Sequence, residues 1–342
     1  MRFIVTGGAG FIGSNTVRRL LGEGHEVVVI DNLSRAGSQR NLEWLRQAGG
    51  ALTFIQQDVR DFDGLRQALR PHRSAEAVLH FAAQVAVTTS VTDPRQDFEI
   101  NALGTFNLLE AVRAEGLEPI VLFTSTNKVY GALAHLRVEE TDSRYRYADL
   151  PQGVDERTPL DFYSPYGCSK GAADQYVRDY GRIYGLRTVV FRNSCIYGTR
   201  QFGIEDQGWL AWFVIAAQRG HPISIYGDGK QVRDVLFVDD LVEVMLRAVK
   251  QPQVSAGQVY NIGGGPARTV SVWKEFGPKL EALVGKPLPV GIQDWRPGDQ
   301  KVYVSDIRKA ESDFGWEPKV DVDEGLRRLH DWVKAHPDLF GG

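Results

Sequence analysis

Short apolar runs recur along the first 192 residues, and segments with apolar residues at helical spacing lie between them. The runs lie at residues 2–6, 27–31, 52–55, 77–83, 119–125 and 188–192. Continuous runs rich in Val and Ile are typical of strands that are buried on both faces. Strands that alternate with helices form a parallel sheet covered by helices. The pattern therefore predicts an α/β fold with a Rossmann-type, doubly wound parallel sheet.

Helices are predicted where apolar residues recur at intervals of three and four. They lie at residues 14–22, 41–48, 97–114, 165–184 and 322–335. Two further short strands are predicted at residues 223–226 and 259–262.

A glycine-rich turn joins the first predicted strand to the first predicted helix. Its glycines are Gly7, Gly10 and Gly13, and the second strand ends in Asp31. Gly7 and Gly10 allow a tight turn close to a pyrophosphate at the helix N-terminus, and Gly13 allows close packing of helix on strand. A carboxylate at the end of the second strand accepts hydrogen bonds from a ribose diol. Together these features predict a dinucleotide-binding βαβ unit.

The acid at the end of the second strand also bears on which dinucleotide binds. Asp31 would repel a 2′-phosphate, which favours NAD over NADP, while Arg35 nearby leaves NADP as the alternative. Asp58 follows the third strand, where it either meets the adenine amino group or caps a helix, as Asp61 would also do. The predicted cofactor contacts are Gly7, Gly10, Phe11, Ile12, Gly13, Asp31, Asn32, Ser34, Arg35, Asp58, Val59, Phe81, Ala82, Ala83, Asn101, Tyr166 and Lys170.

A tyrosine and a lysine four residues apart begin the helix predicted at residues 165–184. Tyr166 and Lys170 share one face of that helix. The ammonium group and a positive nicotinamide ring favour the phenolate of a tyrosine whose ordinary pKa is about 10. The phenolate then takes a proton from an alcohol as hydride leaves the carbon, and Thr126 hydrogen-bonds the same oxygen. We therefore predict Thr126, Tyr166 and Lys170 as catalytic residues; the alternative for the pair is a surface aromatic–cation contact.

The same spacing occurs a second time, from Tyr226 to Lys230. The three residues between them are Gly-Asp-Gly, which is typical of a turn rather than a helix. We therefore expect no catalytic role for this second pair.

Composition and charge exclude several classes of function. The 342 residues carry a net charge of −3, which gives no basic surface for nucleic acid. No apolar run reaches the length needed to span a bilayer. Cys168 and Cys195 form neither a disulfide scaffold nor a metal-ligand spacing, so no metal is expected. The first strand begins at once, so we expect no signal peptide and a cytoplasmic location.

The regular alternation stops beyond residue 192. Gly, Trp and Phe mix over residues 201–220, which we interpret as the start of a smaller substrate-binding lobe. Residues 235–249 are expected to return to the main domain as an edge strand and a helix. The polar stretch at residues 136–161 is too long for a simple connection and predicts a substrate-side loop. The predicted NAD-binding domain is 1–192 with 230–262, and the predicted C-terminal substrate-binding lobe is 193–229 with 263–342.

Two arginines in the second half of the chain suit a diphosphate. The planar guanidinium groups of Arg233 and Arg296 match phosphate oxygens bidentately. The alternative is that they form salt bridges with the neighbouring acids Asp234 and Asp299.

These motifs together resemble the extended short-chain dehydrogenases that act on nucleotide sugars. The resemblance covers essentially the whole chain, and the G-x-x-G-x-x-G spacing is the form that this family uses. Several stretches are similar to the CDP-tyvelose (CDP-paratose) 2-epimerases within it: residues 83–90, 125–131, 161–170, 200–202 and 206–209. Asn193 departs from that pattern, since a histidine is expected there, and this departure leaves the exact hexose open.

The resemblance implies a particular activity. It implies an NAD-dependent isomerase that inverts C2 of a CDP-hexose, as from CDP-paratose to CDP-tyvelose, through a transient 2-keto intermediate. NAD is expected to be tightly bound and regenerated in each cycle, and the chain is expected to form a homo-oligomer, either a dimer or a tetramer. The predicted substrate contacts are Gln84, Thr126, Asn127, Asn193, Arg233, Arg296 and Asp299.

Two other functions remain open. A UDP- or CDP-hexose 4-epimerase shares the first oxidation step, although the usual 4-epimerases carry a serine and small residues at positions 126–128. Dehydratases of the family carry two acids after the threonine, where this chain has Asn127 and Lys128, so elimination of water lacks its proton carriers. A non-catalytic, NAD-sensing protein of the same fold is the second alternative, and the Tyr166–Lys170 pair argues against it.

Overall fold

The chain folds into two compact units. The computed structural model describes residues 1–296 and 299–340. The first unit consists of Met1–Val129, Ser164–Arg192 and Val242–Tyr260. The second consists of Tyr130–Tyr163, Asn193–Leu241 and the described residues from Asn261 onward.

The strands of the described residues are numbered in chain order. They are β1 (Arg2–Thr6), β2 (Glu26–Asp31), β3 (Leu52–Gln56), β4 (Ala77–His80), β5 (Ile120–Thr126), β6 (Val138–Glu140), β7 (Tyr145–Tyr147), β8 (Arg187–Asn193), β9 (Cys195–Tyr197), β10 (Ile223–Tyr226), β11 (Val232–Phe237), β12 (Val259–Ile262), β13 (Thr269–Ser271), β14 (Val290–Gln293) and β15 (Val302–Tyr303).

The helices are numbered in the same way. They are α1 (Phe11–Gly22), α2 (Ser38–Arg46), α3 (Phe62–Leu69), α4 (Val87–Thr92), α5 (Pro94–Phe98), α6 (Gly104–Ala114), α7 (Ser164–Tyr184), α8 (Trp209–Arg219), α9 (Val238–Lys250), α10 (Pro252–Ser255), α11 (Phe276–Val284), α12 (Arg308–Phe314) and α13 (Val322–Ala335). In the part of the chain that the structure describes, no helix combines the length and the apolar character needed to cross a membrane.

Seven strands form one sheet in the order β12-β8-β5-β4-β1-β2-β3. β1 pairs in parallel with β2 and β4, and the pairs β2–β3 and β4–β5 are parallel as well. The strand order changes direction between β1 and β4, and sheets of this kind bind ligands beyond the strand ends at such a point. Ile4, Val28, Val78 and Val121 share one buried core with apolar side chains of α3, α6 and α7. The α/β, doubly wound fold predicted from the apolar runs is confirmed.

The compact units differ from the predicted domain boundaries around β11. Residues 230–241 were expected in the cofactor-binding domain but belong to the second unit. The reason is strand pairing, because β11 pairs with β9 and β15 in parallel and with β13 antiparallel. The first unit resumes only within α9, at Val242, and it ends at Tyr260, within β12.

The polar stretch that follows β5 also differs from its prediction. Residues 130–163 belong to the second unit, although they were predicted within the cofactor-binding domain. β6 and β7 form an antiparallel hairpin, and Val154 forms a β-bridge with Ser305. Tyr145 of the hairpin is buried in an apolar cluster with Val232 and Val302. The stretch is therefore held by the strands of the second unit rather than forming a plain loop.

The single helix predicted at residues 97–114 consists of three segments. α5 begins earlier, at Pro94, because the Asp93 side chain caps it by accepting the Gln96 N–H and proline suits the first helical position. A π-helical segment, Glu99–Leu103, then precedes α6. π-helical turns are rare, and those that occur often lie at functional sites. This one carries the buried Asn101.

Candidate active site and cofactor-binding turn

The turn between β1 and α1 has no room for side chains at two glycines. Gly7 adopts a left-handed φ of 68°, and a Cβ there would lie 2.5 Å from the Ala82 nitrogen. A Cβ on Gly13 would clash with the Gly7 carbonyl oxygen and lie 2.7 Å from the Gly8 Cα. Gly10 precedes α1 without a side-chain cap, so the first N–H groups of the helix point beyond its end. This is the geometry by which a helix N-terminus holds phosphate.

Asp31 ties this turn to the end of β2. One carboxylate oxygen accepts the Ala9 N–H at 3.0 Å, and the other accepts the Leu33 N–H at 2.8 Å. Burial raises the pKa of Asp31, and these two hydrogen bonds oppose the shift. Each carboxylate oxygen has a second lone pair, so the group retains acceptors for a ribose diol.

Asp58 and Asp61 have different roles at the end of β3. Asp61 caps α3, with its carboxylate accepting the Gly64 N–H at 3.0 Å. Asp58 accepts hydrogen bonds from Asn32 at 2.8 Å and from the Arg60 side chain at 2.8 and 3.0 Å. The Arg60 guanidinium lowers the pKa of Asp58 to about 2. The helix-cap alternative thus holds for Asp61 and not for Asp58, whose contact with adenine stays a prediction.

Tyr166 and Lys170 are held in the first turns of α7. The Ser164 hydroxyl accepts the Gly167 N–H at 3.2 Å, and the Ser90 hydroxyl accepts the Tyr166 N–H at 3.1 Å. The side chains of Tyr166 and Lys170 are buried, with 8% and 3% of each residue exposed. A surface aromatic–cation contact is therefore wrong for this pair.

The Lys170 ammonium lies against the end of β5. It donates to the Thr124 carbonyl oxygen at 2.6 Å and lies 4.2 Å from the centre of the Phe123 ring. Burial lowers its pKa to about 7, against the opposing effect of Asp174 and Asp97.

Burial raises the pKa of Tyr166 to about 12. A hydrogen bond with the Thr126 side chain and the charge of Arg35 oppose this shift. From the sequence we predicted that the Lys170 ammonium and a nicotinamide ring lower this pKa, and Arg35 was predicted only as a cofactor contact. Thr126 and Arg35 are the groups that lower it in the structure.

The buried lysine gives the free energy of unfolding a pH dependence. Its pKa is about 7 in the folded protein, against an ordinary value of 10.5, so the unfolded chain binds more protons between these values. The contribution of Lys170 to the free energy of unfolding therefore rises with pH across this window, by on the order of a few kcal/mol. We expect Lys170→Met to flatten the profile of urea unfolding between pH 7 and 10.5 relative to wild type. An identical slope in the two proteins would contradict burial of the charged group.

Two residues predicted as ligand contacts are hydrogen-bonded to protein groups, and their ligand contacts stay predictions. The Gln84 side chain donates to Ala86 and Asp97, and the Asn101 side chain amide donates to the Gln84 carbonyl oxygen, to Asp97 and to Ser169. Asp97 and Ser169 were not predicted from the sequence. One signal was present, because Asp97 and Asn101 are polar residues four apart, which places them on one face of the predicted helix.

The predicted substrate contacts of the second unit are placed as follows. Arg233 donates to Asp299 at 2.6 Å, which is the salt-bridge alternative, and Arg296 pairs with Asp206 at 3.0 Å. The buried Asn193 side chain oxygen has no hydrogen-bond partner within the described ranges 1–296 and 299–340. A diphosphate role for the two arginines stays a prediction.

The second Tyr-x-x-x-Lys pair is confirmed as a turn. Gly227 and Gly229 both adopt positive φ, and the Lys230 ammonium pairs with Glu140 at 2.7 Å.

Comparison with known proteins gives the family. Residues 4–329 match the family described as GDP-mannose 4,6-dehydratase. The chain is 42% identical over 340 residues to the CDP-paratose 2-epimerase of Salmonella typhi, covering 98% of this chain and 100% of that one. The chain belongs to this family of nucleotide-sugar epimerases and dehydratases. The predicted relationship to the extended short-chain dehydrogenases is thereby confirmed.

Solved structures of family members share the fold over the full length. UDP-glucose 4-epimerase of Thermus thermophilus, in complex with NAD, superimposes with a TM-score of 0.82 at 35% identity, covering 98% of this chain and 99% of that one. The dTDP-glucose 4,6-dehydratase DesIV of Streptomyces venezuelae, with NAD and TYD bound, gives 0.85 at 31% identity, covering 99% and 98%.

Proposed function

We propose that this chain is an NAD-dependent 2-epimerase of a CDP-hexose, of the CDP-paratose to CDP-tyvelose type. The observation that carries the proposal is the 42% identity to a CDP-paratose 2-epimerase over essentially the whole of both chains. The buried Tyr166, hydrogen-bonded to Thr126, supplies the proton-transfer group that the reaction needs.

The first unit suits NAD as the cofactor. A Cβ at Gly7 or Gly13 would fill the turn, and the first N–H groups of α1 suit the pyrophosphate. Asp31 suits the adenosine ribose and disfavours a 2′-phosphate. The other predicted contacts are Gly10, Phe11, Ile12, Asn32, Ser34, Arg35, Asp58, Val59, Phe81, Ala82, Ala83, Asn101, Tyr166 and Lys170.

NAD, when bound, accepts a hydride from the sugar and returns it. The substrate and product of an epimerase have the same oxidation state, so the cofactor is regenerated and we propose that it stays tightly bound. We also propose a cytoplasmic location, since the two cysteines of the chain, Cys168 and Cys195, are too few for a disulfide scaffold.

Tyr166 moves the proton of the reacting hydroxyl. As phenolate it removes the proton from the C2 hydroxyl as the hydride leaves C2 for the bound cofactor, which gives a 2-keto sugar, and it returns the proton to the same oxygen as the hydride comes back to C2. Thr126 holds that oxygen in line with the phenol. The keto sugar turns about its phosphate linkage and presents its other face, which inverts C2.

The residues after Thr126 argue against dehydration. Asn127 is buried, and its side chain oxygen accepts a hydrogen bond from the Thr126 hydroxyl at 3.3 Å. An amide has no titratable proton, so it serves neither as general acid nor as general base. Removal of water from the sugar therefore lacks the carboxyl pair that it requires.

The proposal is tested by proton NMR of the purified protein with CDP-paratose and no added nicotinamide. We expect the signals of the C2-inverted sugar to appear, which requires both 2-epimerase activity and retained NAD. If the inverted sugar appears only after NAD is added, the activity stands and tight binding fails. No reaction even with NAD would exclude CDP-paratose as the substrate.

A 4-epimerase of UDP- or CDP-hexoses is the second candidate. It is favoured by the similarity to the UDP-glucose 4-epimerase of Thermus thermophilus. The same NMR assay with UDP-glucose distinguishes the two, because inversion at C4 gives a different product from inversion at C2.

We also propose that the chain forms a homo-oligomer through one face of α7 and the neighbouring α5–α6 region. Tyr176, Ile183 and Tyr184 on α7 are exposed by 48%, 66% and 51%, and Phe98 and Leu103 are exposed as well. The rings of Phe106 and Tyr176 lie 5.6 Å apart, so the α6 and α7 residues lie side by side. Contiguous exposed apolar side chains mark association surfaces.

A charge on this face is expected to separate the subunits. Ile183→Glu should give the mass of a single chain in size-exclusion chromatography with light scattering, while wild type gives at least twice that mass. Ile292→Glu is the matched control, since Ile292 is exposed to a similar extent, 64%, but lies on β14 in the second unit. A monomeric wild type, or an Ile183→Glu variant that keeps the oligomer, would overturn the assignment.

A further inference from the structure

A buried carboxylate joins three segments of the first unit. Asp97, on α5, is fully buried. One of its oxygens accepts the Gln84 side chain amide at 2.9 Å and the Asn101 amide at 3.1 Å. Its other oxygen accepts the Ser169 hydroxyl. The segment after β4, the π-helical segment and α7 therefore share one acceptor.

The contact on α7 lies between the two predicted catalytic residues of that helix. Ser169 directly precedes Lys170 and is one turn beyond Tyr166. Its hydroxyl also contacts the Tyr166 carbonyl oxygen, at 3.2 Å. Loss of the Asp97 contact would thus remove one of the bonds that hold the helical turn that carries both side chains.

Asp97 and Asp174 differ in the groups that surround their carboxylates. Asp174, also near Lys170, forms a buried bidentate pair with Arg192 at 2.9 and 3.0 Å. In the part of the chain that the structure describes, the side chains that donate to Asp97 are two amides and a hydroxyl, all neutral. In a low-dielectric interior the field of such a carboxylate reaches other buried charges, and Asp97 raises the pKa of the buried Lys170.

We propose that Asp97 is a positioning residue for the reaction, which fixes the start of α7 through Ser169 and whose buried negative charge acts on the ammonium of Lys170. The effect of Asp97 on C2 epimerisation rests on the proposed function. Its effects on the start of α7 and on Lys170 do not depend on that function. Asp97 acts through Ser169 and Lys170 rather than by contact with the sugar.

The charged and titratable groups that interact with Lys170 are Asp97 on α5, His80 on β4 and Asp174 on its own helix. Arg192 on β8 pairs with Asp174, and Arg35, before α2, acts on Tyr166. His80 is fully buried and burial lowers its pKa to about 3, so it is neutral at working pH. Asp97 is therefore the group whose replacement changes the charge near Lys170 without breaking the Asp174–Arg192 pair.

The test compares Asp97→Asn with wild type in the C2-epimerisation assay over pH. The variant keeps the shape of the side chain and removes the charge. We expect kcat to fall by about tenfold to a hundredfold, since small displacements of catalytic groups have effects of this size. We also expect KM for CDP-paratose to stay within about threefold. The pH profile of kcat should move to lower pH by about half a unit or more, because loss of the negative charge lowers the pKa of both Lys170 and Tyr166.

Two further variants separate position from charge. Ser169→Ala keeps the carboxylate and removes its contact with α7. We therefore expect kcat to fall while the pH profile of kcat stays in place. This variant also tests the inference if Asp97→Asn fails to fold. Glu99→Gln is the matched control, because Glu99 lies two residues further along the chain and its carboxylate pairs with the exposed Arg95. It should behave as wild type. Wild-type kcat and pH profile in Asp97→Asn, or wild-type kcat in Ser169→Ala, would overturn the inference.

A measurement without substrate distinguishes failure of this inference from failure of the proposed function. Lys170 makes the free energy of unfolding rise with pH, and this rise begins near the pKa of Lys170 in the folded protein, about 7. In Asp97→Asn this rise should begin at lower pH, and Lys170→Met should abolish it in both backgrounds. An onset that does not move in Asp97→Asn would refute the electrostatic role even if no sugar is turned over.

Discussion

Tyr166→Phe is expected to lower kcat for C2 epimerisation by about 10² to 10⁴-fold, the usual contribution of a positioned proton-transfer group. The phenyl ring retains the packing of a side chain that is only 8% exposed, so the fold and cofactor binding should persist. What is lost is the oxygen that takes the proton from the sugar and returns it. Thr126 remains, but an aliphatic hydroxyl is too weak a base to replace a phenolate.

The loss is measured by NMR rates alongside NAD content, determined on protein denatured to release the nucleotide. Tyr226→Phe is the matched control, since it alters the tyrosine of the second Tyr-x-x-x-Lys pair, whose hydroxyl donates to the exposed Glu205 at 3.3 Å. It should retain wild-type rates. A loss of less than about tenfold in Tyr166→Phe, with NAD still bound, would remove Tyr166 as the base.

The parts of the fold that were predicted correctly are those set by local pattern. β1, the glycine turn, α1 and β2 lie within the first 31 residues, where apolar runs and glycines specify each step without distant contacts. α13 likewise begins and ends at the predicted residues. Tyr166 and Lys170 were found because their spacing on a helix is itself the signal.

The parts that were missed depend on contacts between distant segments. β6 and β7 are three residues each, too short for an alternation to be detected, and they are stabilised by β11 and β15 far along the chain. The sequence of β11 is typical of a buried strand, and its residues do not indicate that it pairs with β9 rather than with the seven-stranded sheet. Asp97 bonds Ser169 across 72 residues, so its role emerges only when α5 packs on α7.

Gly13→Ala is expected to destabilise the first unit and to weaken NAD binding together. The new Cβ would clash with the carbonyl oxygen of Gly7 and lie 2.7 Å from the Gly8 Cα. Both obstacles are backbone atoms, which cannot rotate away as a side chain end can. Overpacking of this kind costs about 1 to 3 kcal/mol, and the relaxation that relieves it moves the turn away from the helix N-terminus.

The displacement of that turn is what couples the two effects, because the turn and the first N–H groups of α1 together form the predicted phosphate site. NAD affinity measured by calorimetry should fall by about tenfold or more, which corresponds to about 1.4 kcal/mol. Gly22→Ala is the control on the same helix, since a Cβ there meets nothing within 4 Å and alanine favours the helix by about 0.5 to 1 kcal/mol. It should leave NAD affinity unchanged and raise the free energy of unfolding. If Gly13→Ala instead bound NAD like Gly22→Ala, the close approach of α1 to the turn would not be what forms the site.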